Sequence, residues 1–137
     1  MKRIYLIFAI LITTIGLQAN EPWKRHLISN EGVELHLDLY EESILVPTLS
    51  DFGPMNGYLG GSIYGEWYVS SFSIKNDKQA TIRLSNDLGS ENQDVLIRQE
   101  TDSTWVVQFK GYNAIRKVKG KKLEKVPDTY VMKEMCK

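Results

Sequence analysis

Apolar and polar side chains alternate with a period of two along much of this chain, and no other feature narrows its fold as far. Val33, Leu35, Leu37 and Leu39 alternate with Glu34, His36, Asp38 and Tyr40. Ala80, Ile82 and Leu84 alternate with Thr81, Arg83 and Ser85, and Trp105, Val107 and Phe109 with Val106, Gln108 and Lys110. Successive side chains of a strand point to opposite faces, so the pattern predicts half-buried strands. Further strand-like runs lie at 43–46, 58–64, 67–75, 94–100, 114–119 and 123–126, with 129–132 a last strand or a tail. Turn formers separate them: Asn76-Asp77, Thr101-Asp102-Ser103, Gly111-Tyr112-Asn113 and Gly120. Connections this short force antiparallel neighbours. The expectation is an all-β antiparallel meander of eight to ten strands, closed or partly open as a barrel because closure hides sheet edges. A two-sheet sandwich is the alternative.

One run breaks phase. Trp67 and Val69 share a parity that Phe72 and Ile74 do not. One inserted residue near Ser70-Ser71 reconciles them, which predicts a β-bulge. Just before it, residues 51–65 hold five of the ten glycines. Gly60-Gly61 within a strand-like run signals a bulge, a barrel-corner kink, or the close approach of another backbone or a ligand.

The ends carry separate information. Lys2 and Arg3 precede an apolar run from Ile4 to Leu17, followed by Gln18-Ala19-Asn20-Glu21. That is the layout of a secretory signal peptide, cleaved after Ala19, and the run is shorter than the roughly 20 residues of a spanning helix. The expected organisation is therefore a signal peptide over 1–19 and one domain over 20–137, exported to the periplasm or beyond. The lone cysteine, Cys136, has no partner in its chain; it is a free terminal thiol or pairs between chains.

Catalytic signatures are sparse. Gly60-Gly61-Ser62-Ile63-Tyr64 misses G-x-S-x-G at its last position, and both histidines, His26 and His36, precede Ser62. Those histidines lack the helical i, i+4 spacing of a zinc motif, so no metal site is expected, and His36 reads as an exposed residue on a polar strand face. Residues 86–94 concentrate oxygen ligands but do not match a calcium loop, and the Asx residues and Gly89 suit a plain turn. No phosphate-binding glycine motif occurs. No cofactor is expected. Paired carboxylates for a hydrolase are a matter of spatial convergence that spacing cannot decide.

Charge is distributed unevenly. Formal net charge is zero, which gives no global case for nucleic acid. Residues 20–109 carry 6 basic and 14 acidic groups, whereas 110–137 carry 9 basic and 3 acidic. Arg116, Lys117, Lys119, Lys121, Lys122 and Lys125 crowd around Gly120. They read either as a solvated hairpin neutralised by acidic strands that it pairs with, or as a patch for an anionic polymer, lipid headgroup or acidic protein. Tyr58, Tyr64, Trp67 and Tyr68 form the candidate ligand-binding set, since polar-tipped aromatics line small-molecule sites; Trp67 and Trp105 also suit a core.

Gly65-Glu66-Trp67 on a predicted strand resembles the G-x-W that opens lipocalin-type barrels. The resemblance implies a small meander barrel that binds small, mostly apolar ligands. Three strand-like runs precede the motif here, and Asp128-Thr129-Tyr130 does not reproduce the later lipocalin motifs. The chain after residue 19 is also similar to small uncharacterised exported proteins of Gram-negative bacteria, which implies no activity. The leading expectation is an exported, non-enzymatic binding protein for a small molecule or an envelope component. The alternatives are a protein-interaction or inhibitor module, working through residues 51–57 or the basic hairpin, and a small carboxylate hydrolase.

Overall fold

The computed structural model describes residues 21–135. The expected signal peptide and Cys136 lie outside them. Ten strands follow in order: β1 (Lys24–Ser29), β2 (Val33–Asp38), β3 (Gly57–Gly61), β4 (Trp67–Asn76), β5 (Gln79–Asn86), β6 (Asn92–Thr101), β7 (Thr104–Lys110), β8 (Arg116–Lys119), β9 (Lys122–Lys125) and β10 (Thr129–Glu134). Eight close into an antiparallel barrel in the order β1-β10-β7-β6-β5-β4-β3-β2, while β8 and β9 form a separate two-stranded sheet. The meander barrel expected from the alternation is thus the architecture, and the sandwich alternative falls away.

The inward positions are those the alternation marks. Leu27, Leu35, Leu37, Leu59, Leu84, Ile97 and Met132 are fully buried and join Trp23, Trp67, Val69, Trp105, Val107 and Phe109 in one cluster. These seven residues present no surface that a water molecule could touch, so no water-sized space adjoins them. An eight-stranded barrel is just wide enough for its own side chains to fill, and here they do. The interior ligand space implied by the lipocalin resemblance is occupied by leucine, isoleucine and tryptophan side chains.

Both ends are closed by nearby chain. At one end the Trp23 indole N–H donates to the Asn76 carbonyl at 2.9 Å, and the Arg25 guanidinium lies over the Trp105 ring, 4.5 Å from its centroid. At the other end the segment between β7 and β8 folds inward. Ile115 is fully buried and Ala114 and Val126 join the core. Asn113 holds that plug: its side-chain amide donates to the Val126 carbonyl at 3.0 Å, and its side-chain oxygen accepts from the Ile115 N–H at 3.1 Å.

The bulge expected near Ser70-Ser71 is present. Val69 pairs with Leu84 and Ser71 with Arg83, so Ser70 is the extra residue, and Phe72 and Ile74 come into register with Ile82 and Ala80. The glycines of β3 serve a backbone approach. Gly61 has φ +80°, and a Cβ there would collide with the Gly32 carbonyl; one at Gly57 would collide with the His36 carbonyl. Only glycine lets β3 lie this close to β2 in this backbone conformation.

Four expectations need correction. First, β1 carries no alternation strong enough to mark it, yet it pairs with both β2 and β10. Second, residues 43–46 are not a strand: Ile44 makes an isolated bridge with Met55, and a 3-10 turn over Pro47–Phe52 follows. Third, Ala114 and Ile115 precede β8 and plug the barrel instead of extending that strand. Fourth, the basic hairpin does not pair with acidic strands; β8 pairs only with β9. The tail alternative for 129–132 is also settled, because β10 pairs with β7 and β1 and completes the ring.

Candidate functional site at the hairpin end of the barrel

Antiparallel threading sends the turn after β1, the loop after β3, the turn after β5 and the long β7–β10 connection to one end. A cleft of about 560 Å³ opens there. Tyr64, Gly65, Glu66 and Trp67 line one part of it, Asn86, Asp87, Leu88, Ser90 and Glu91 another, and Ala114, Arg116 and Leu123 a third. The backbone joins two of these walls, since the Tyr64 N–H donates to the Arg116 carbonyl at 2.7 Å. The volume lies within the range of roughly 300–1,000 Å³ typical of small-molecule sites.

This arrangement divides the aromatic set. Tyr64 and Trp67 reach the cleft, with Tyr64 59% exposed and Trp67 in the core with only an edge at the wall. Tyr58 and Tyr68 face each other across β3 and β4 on the outer wall of the barrel. Tyr58 stacks on the His36 ring, centroids 4.7 Å apart. Burial, then the carboxylates of Glu66 and Glu34, raise its hydroxyl above the ordinary tyrosine range. The four aromatics therefore do not form one site.

The six basic residues share a hairpin but not a role. Arg116 is turned to the barrel: its guanidinium donates to the carbonyls of Asn113 at 2.7 Å and Ile115 at 3.1 Å and to the Tyr112 hydroxyl at 2.8 Å. It anchors the base of the hairpin. Lys117 sits opposite Glu124, and Lys119 opposite Lys122. Lys119 Nζ lies 3.8 Å from the Glu124 carboxylate, an ion pair in solvent that contributes little. Between residues 116 and 125 six cations face one carboxylate. Val118 and Leu123, paired across the hairpin, are 63% and 52% exposed.

Five of the eleven exposed large hydrophobic side chains among the described residues belong to this end. Tyr64, Leu88, Tyr112, Val118 and Leu123 all stand out from loops or the hairpin here. Three carboxylates, Glu66, Asp87 and Glu91, also line the cleft, so the residue types that a carboxylate hydrolase needs are present. Glu66 has a further task. One of its oxygens accepts from the Thr48 N–H at 2.9 Å and hydroxyl at 2.7 Å, pinning the 3-10 turn to the start of β4.

Register creates one cluster that spacing in the sequence did not suggest. His26 and His36 are direct partners across β1 and β2. Their Nδ1 atoms are 2.6 Å apart, and His36 Nε2 is 2.9 Å from the Glu34 carboxylate. The two residues lie symmetrically about Glu31 in the turn between β1 and β2, the signal that β1, had it been recognised, would have supplied. Among the described residues no group of three histidine, cysteine, aspartate or glutamate side chains comes together around one point.

Comparison with known proteins adds no relative: no family model matches the chain, and no curated protein or solved structure does. The site has to be interpreted from its own chemistry.

Proposed function

We propose that this protein is a non-enzymatic binding protein that docks on an anionic membrane surface through the β8–β9 hairpin and the loops around it. One observation carries the reading. Among the described residues the two strands of the hairpin pair only with each other; Lys117, Lys119 and Lys122 project from one face, and the exposed Val118 and Leu123 from the other, which they share with Lys125 and the barrel-bound Arg116. Each lysine near an anionic bilayer is worth about 1 kcal/mol. Exposed aliphatic groups on the same narrow hairpin, which lipid could surround on both faces, favour a lipid surface over a soluble polyanion, which offers them nothing to bury against. The packed interior supports an external binding surface in preference to an internal one. The signal-like pattern of the first nineteen residues suits an envelope setting, in the periplasm or outside the cell.

Co-sedimentation of the protein with vesicles tests this. Phosphatidylcholine vesicles containing phosphatidylglycerol should retain it, vesicles of phosphatidylcholine alone should not, and added salt should release it. Lys117→Glu/Lys121→Glu/Lys122→Glu should abolish retention. Val118→Ser/Leu123→Ser should weaken it while leaving the salt dependence in place. Equal behaviour on the two vesicle types, or wild-type retention of the charge-reversed protein, refutes the reading.

The cleft favours a second reading, a small ligand held between Tyr64, Leu88 and Leu123. Its walls combine apolar area with a few charged groups, as ligand sites do. Protection of Tyr64 fluorescence or chemical shift by a candidate compound, lost in Leu123→Asp, would favour it.

A further inference from the structure

We infer that the second half of β4 is a strand-addition edge on which a second copy of this chain docks, its β4 running antiparallel to this one. β4 spans Trp67–Asn76, yet β3 pairs only with Trp67 and Tyr68. β5 covers the opposite edge as far as Asn76. Among the described residues no strand pairs with the remaining edge from Ser70 to Lys75. Just past it the Asn76 carbonyl is taken by the Trp23 indole N–H. Alternate residues of a strand turn their N–H and C=O groups to such an edge, where another strand can pair with them. The side chains beside it are uncovered as well. Phe72 and Ile74 pair with Ile82 and Ala80, which are 2% and 0% exposed, so all four lie on the inner face of the sheet. Phe72 and Ile74 are nevertheless 40% and 39% exposed, because no strand flanks them on the β3 side.

The usual guards against edge pairing are missing here: Ser70-Ser71-Phe72-Ser73-Ile74 holds neither proline nor charge. β8 and β9, which also pair with no third strand, are by contrast dense in lysine. The segment is also complementary to itself, which selects a second copy as the occupant. About a two-fold axis through Ser73, Phe72 opposes Ile74 of the partner subunit and Ile74 opposes Phe72 of the partner subunit, giving two aromatic–β-branched pairs. Lys75 then opposes Ser71 of the partner subunit, so the two lysines stay apart. A two-fold contact of this kind uses the same patch on both chains and closes at two copies. It spans only residues 71–75, well short of the roughly 800 Å² per partner of a stable interface, so the dimer forms and dissociates with concentration. The edge is separate from the β8–β9 hairpin and independent of membrane docking.

Sedimentation equilibrium of the full chain, in a Cys136→Ser background and over a range of concentrations, tests this. The mass should rise from one chain towards two and stop there. Ser73 is exposed on the outer face, so a charge there leaves the single chain folded, as its melting curve will show. Across the two-fold axis Ser73→Lys sets lysine against lysine and should weaken association at least about tenfold; Ser73→Glu should do the same. An equimolar mixture of these two variants sets lysine against glutamate and should associate at least as well as wild type. Phe72→Ser/Ile74→Ser should weaken association, whereas Lys117→Glu/Lys121→Glu/Lys122→Glu should leave it unchanged. The inference is overturned if the wild type stays a single chain at every concentration, if assembly runs past two chains, if folded Ser73→Lys associates as well as wild type, or if the mixture associates no better than either variant alone.

Discussion

The indole N–H of Trp23 donates to the carbonyl of Asn76 at 2.9 Å, joining the residue before β1 to the end of β4 across the barrel mouth. Trp23 is 1% exposed. Trp23→Ala should therefore cost about 3–5 kcal/mol, the range for removing a buried tryptophan. Trp23→Phe keeps most of the apolar volume but loses the hydrogen bond, and should cost distinctly less. Urea unfolding followed by circular dichroism measures both.

Asp38 should set an acid limb of stability. Burial raises its carboxyl, but the Ser43 hydroxyl, the N–H groups of Glu41 and Tyr40 and the charge of Lys24 outweigh this and hold it below its ordinary value of 3.8. Because the folded state holds this proton less tightly than the unfolded chain, the contribution is present above the ordinary value. It is lost as pH falls through the depressed one. Asp38→Asn should reduce stability at neutral pH by about 1–3 kcal/mol and flatten the acid limb of a stability–pH profile; an unchanged limb would show that other carboxylates set it.

Tyr130 governs the alkaline side. Its hydroxyl is buried and near the Glu31 carboxylate, but not within normal hydrogen-bond geometry of it or of any other described residue. Burial, then the carboxylate of Glu31, push it up to about 12 from 10.0. The stability this group provides is complete below pH 10.0 and disappears as pH rises through about 12. Absorbance of ionised tyrosine should show one group titrating last, and Tyr130→Phe should remove it. That variant removes only a weak, long contact to the Glu31 carboxylate, so its stability near neutral pH should lie within about 1 kcal/mol of wild type.

Gly57→Ala should damage the β2–β3 pairing more than an ordinary surface substitution. Gly57 has φ +153°, and the added methyl would meet the His36 carbonyl. A cost above about 2 kcal/mol is expected, from strain and lost pairing together. The alanine variant at Gly89, where nothing lies within 4 Å, provides the comparison for positive φ alone (+71°). Equal costs at the two positions would remove the steric argument.

Strands with one wet face were legible in the sequence, because burial on a single face writes itself as alternation. Val33 to Leu39, Ala80 to Leu84 and Trp105 to Phe109 are examples, and the phase slip at Ser70 located the bulge for the same reason. β1 was not legible: Arg25, an inward position, carries a charge that stacks on Trp105, which hides the rhythm. The reverse error arose at 43–46, where Ile44, Leu45 and Val46 look like a strand but lead into a 3-10 turn capped by proline. The functional surfaces depended on long-range register. Nothing local says that Arg116 turns inward to carbonyl groups while its lysine neighbours do not, or that Tyr58 and Tyr64, only six positions apart, end on an outer wall and at a mouth. The histidine pair is the clearest case, since it exists only once two strands are correctly matched.

The ring of strands is stitched unevenly. β4 and β5 share eight paired positions and β5 and β6 seven, but β3 and β4 share only Tyr58 with Tyr68 and Leu59 with Trp67. A cylinder breathes where fewest bonds must part together, so this junction works as a clasp. Amide protons facing it should exchange with deuterium before those of the wider ladders, and a mild protease should find the 62–66 connection beside it first. The half of the molecule from β4 to β7 would then keep its shape for longer than the half that carries both histidines.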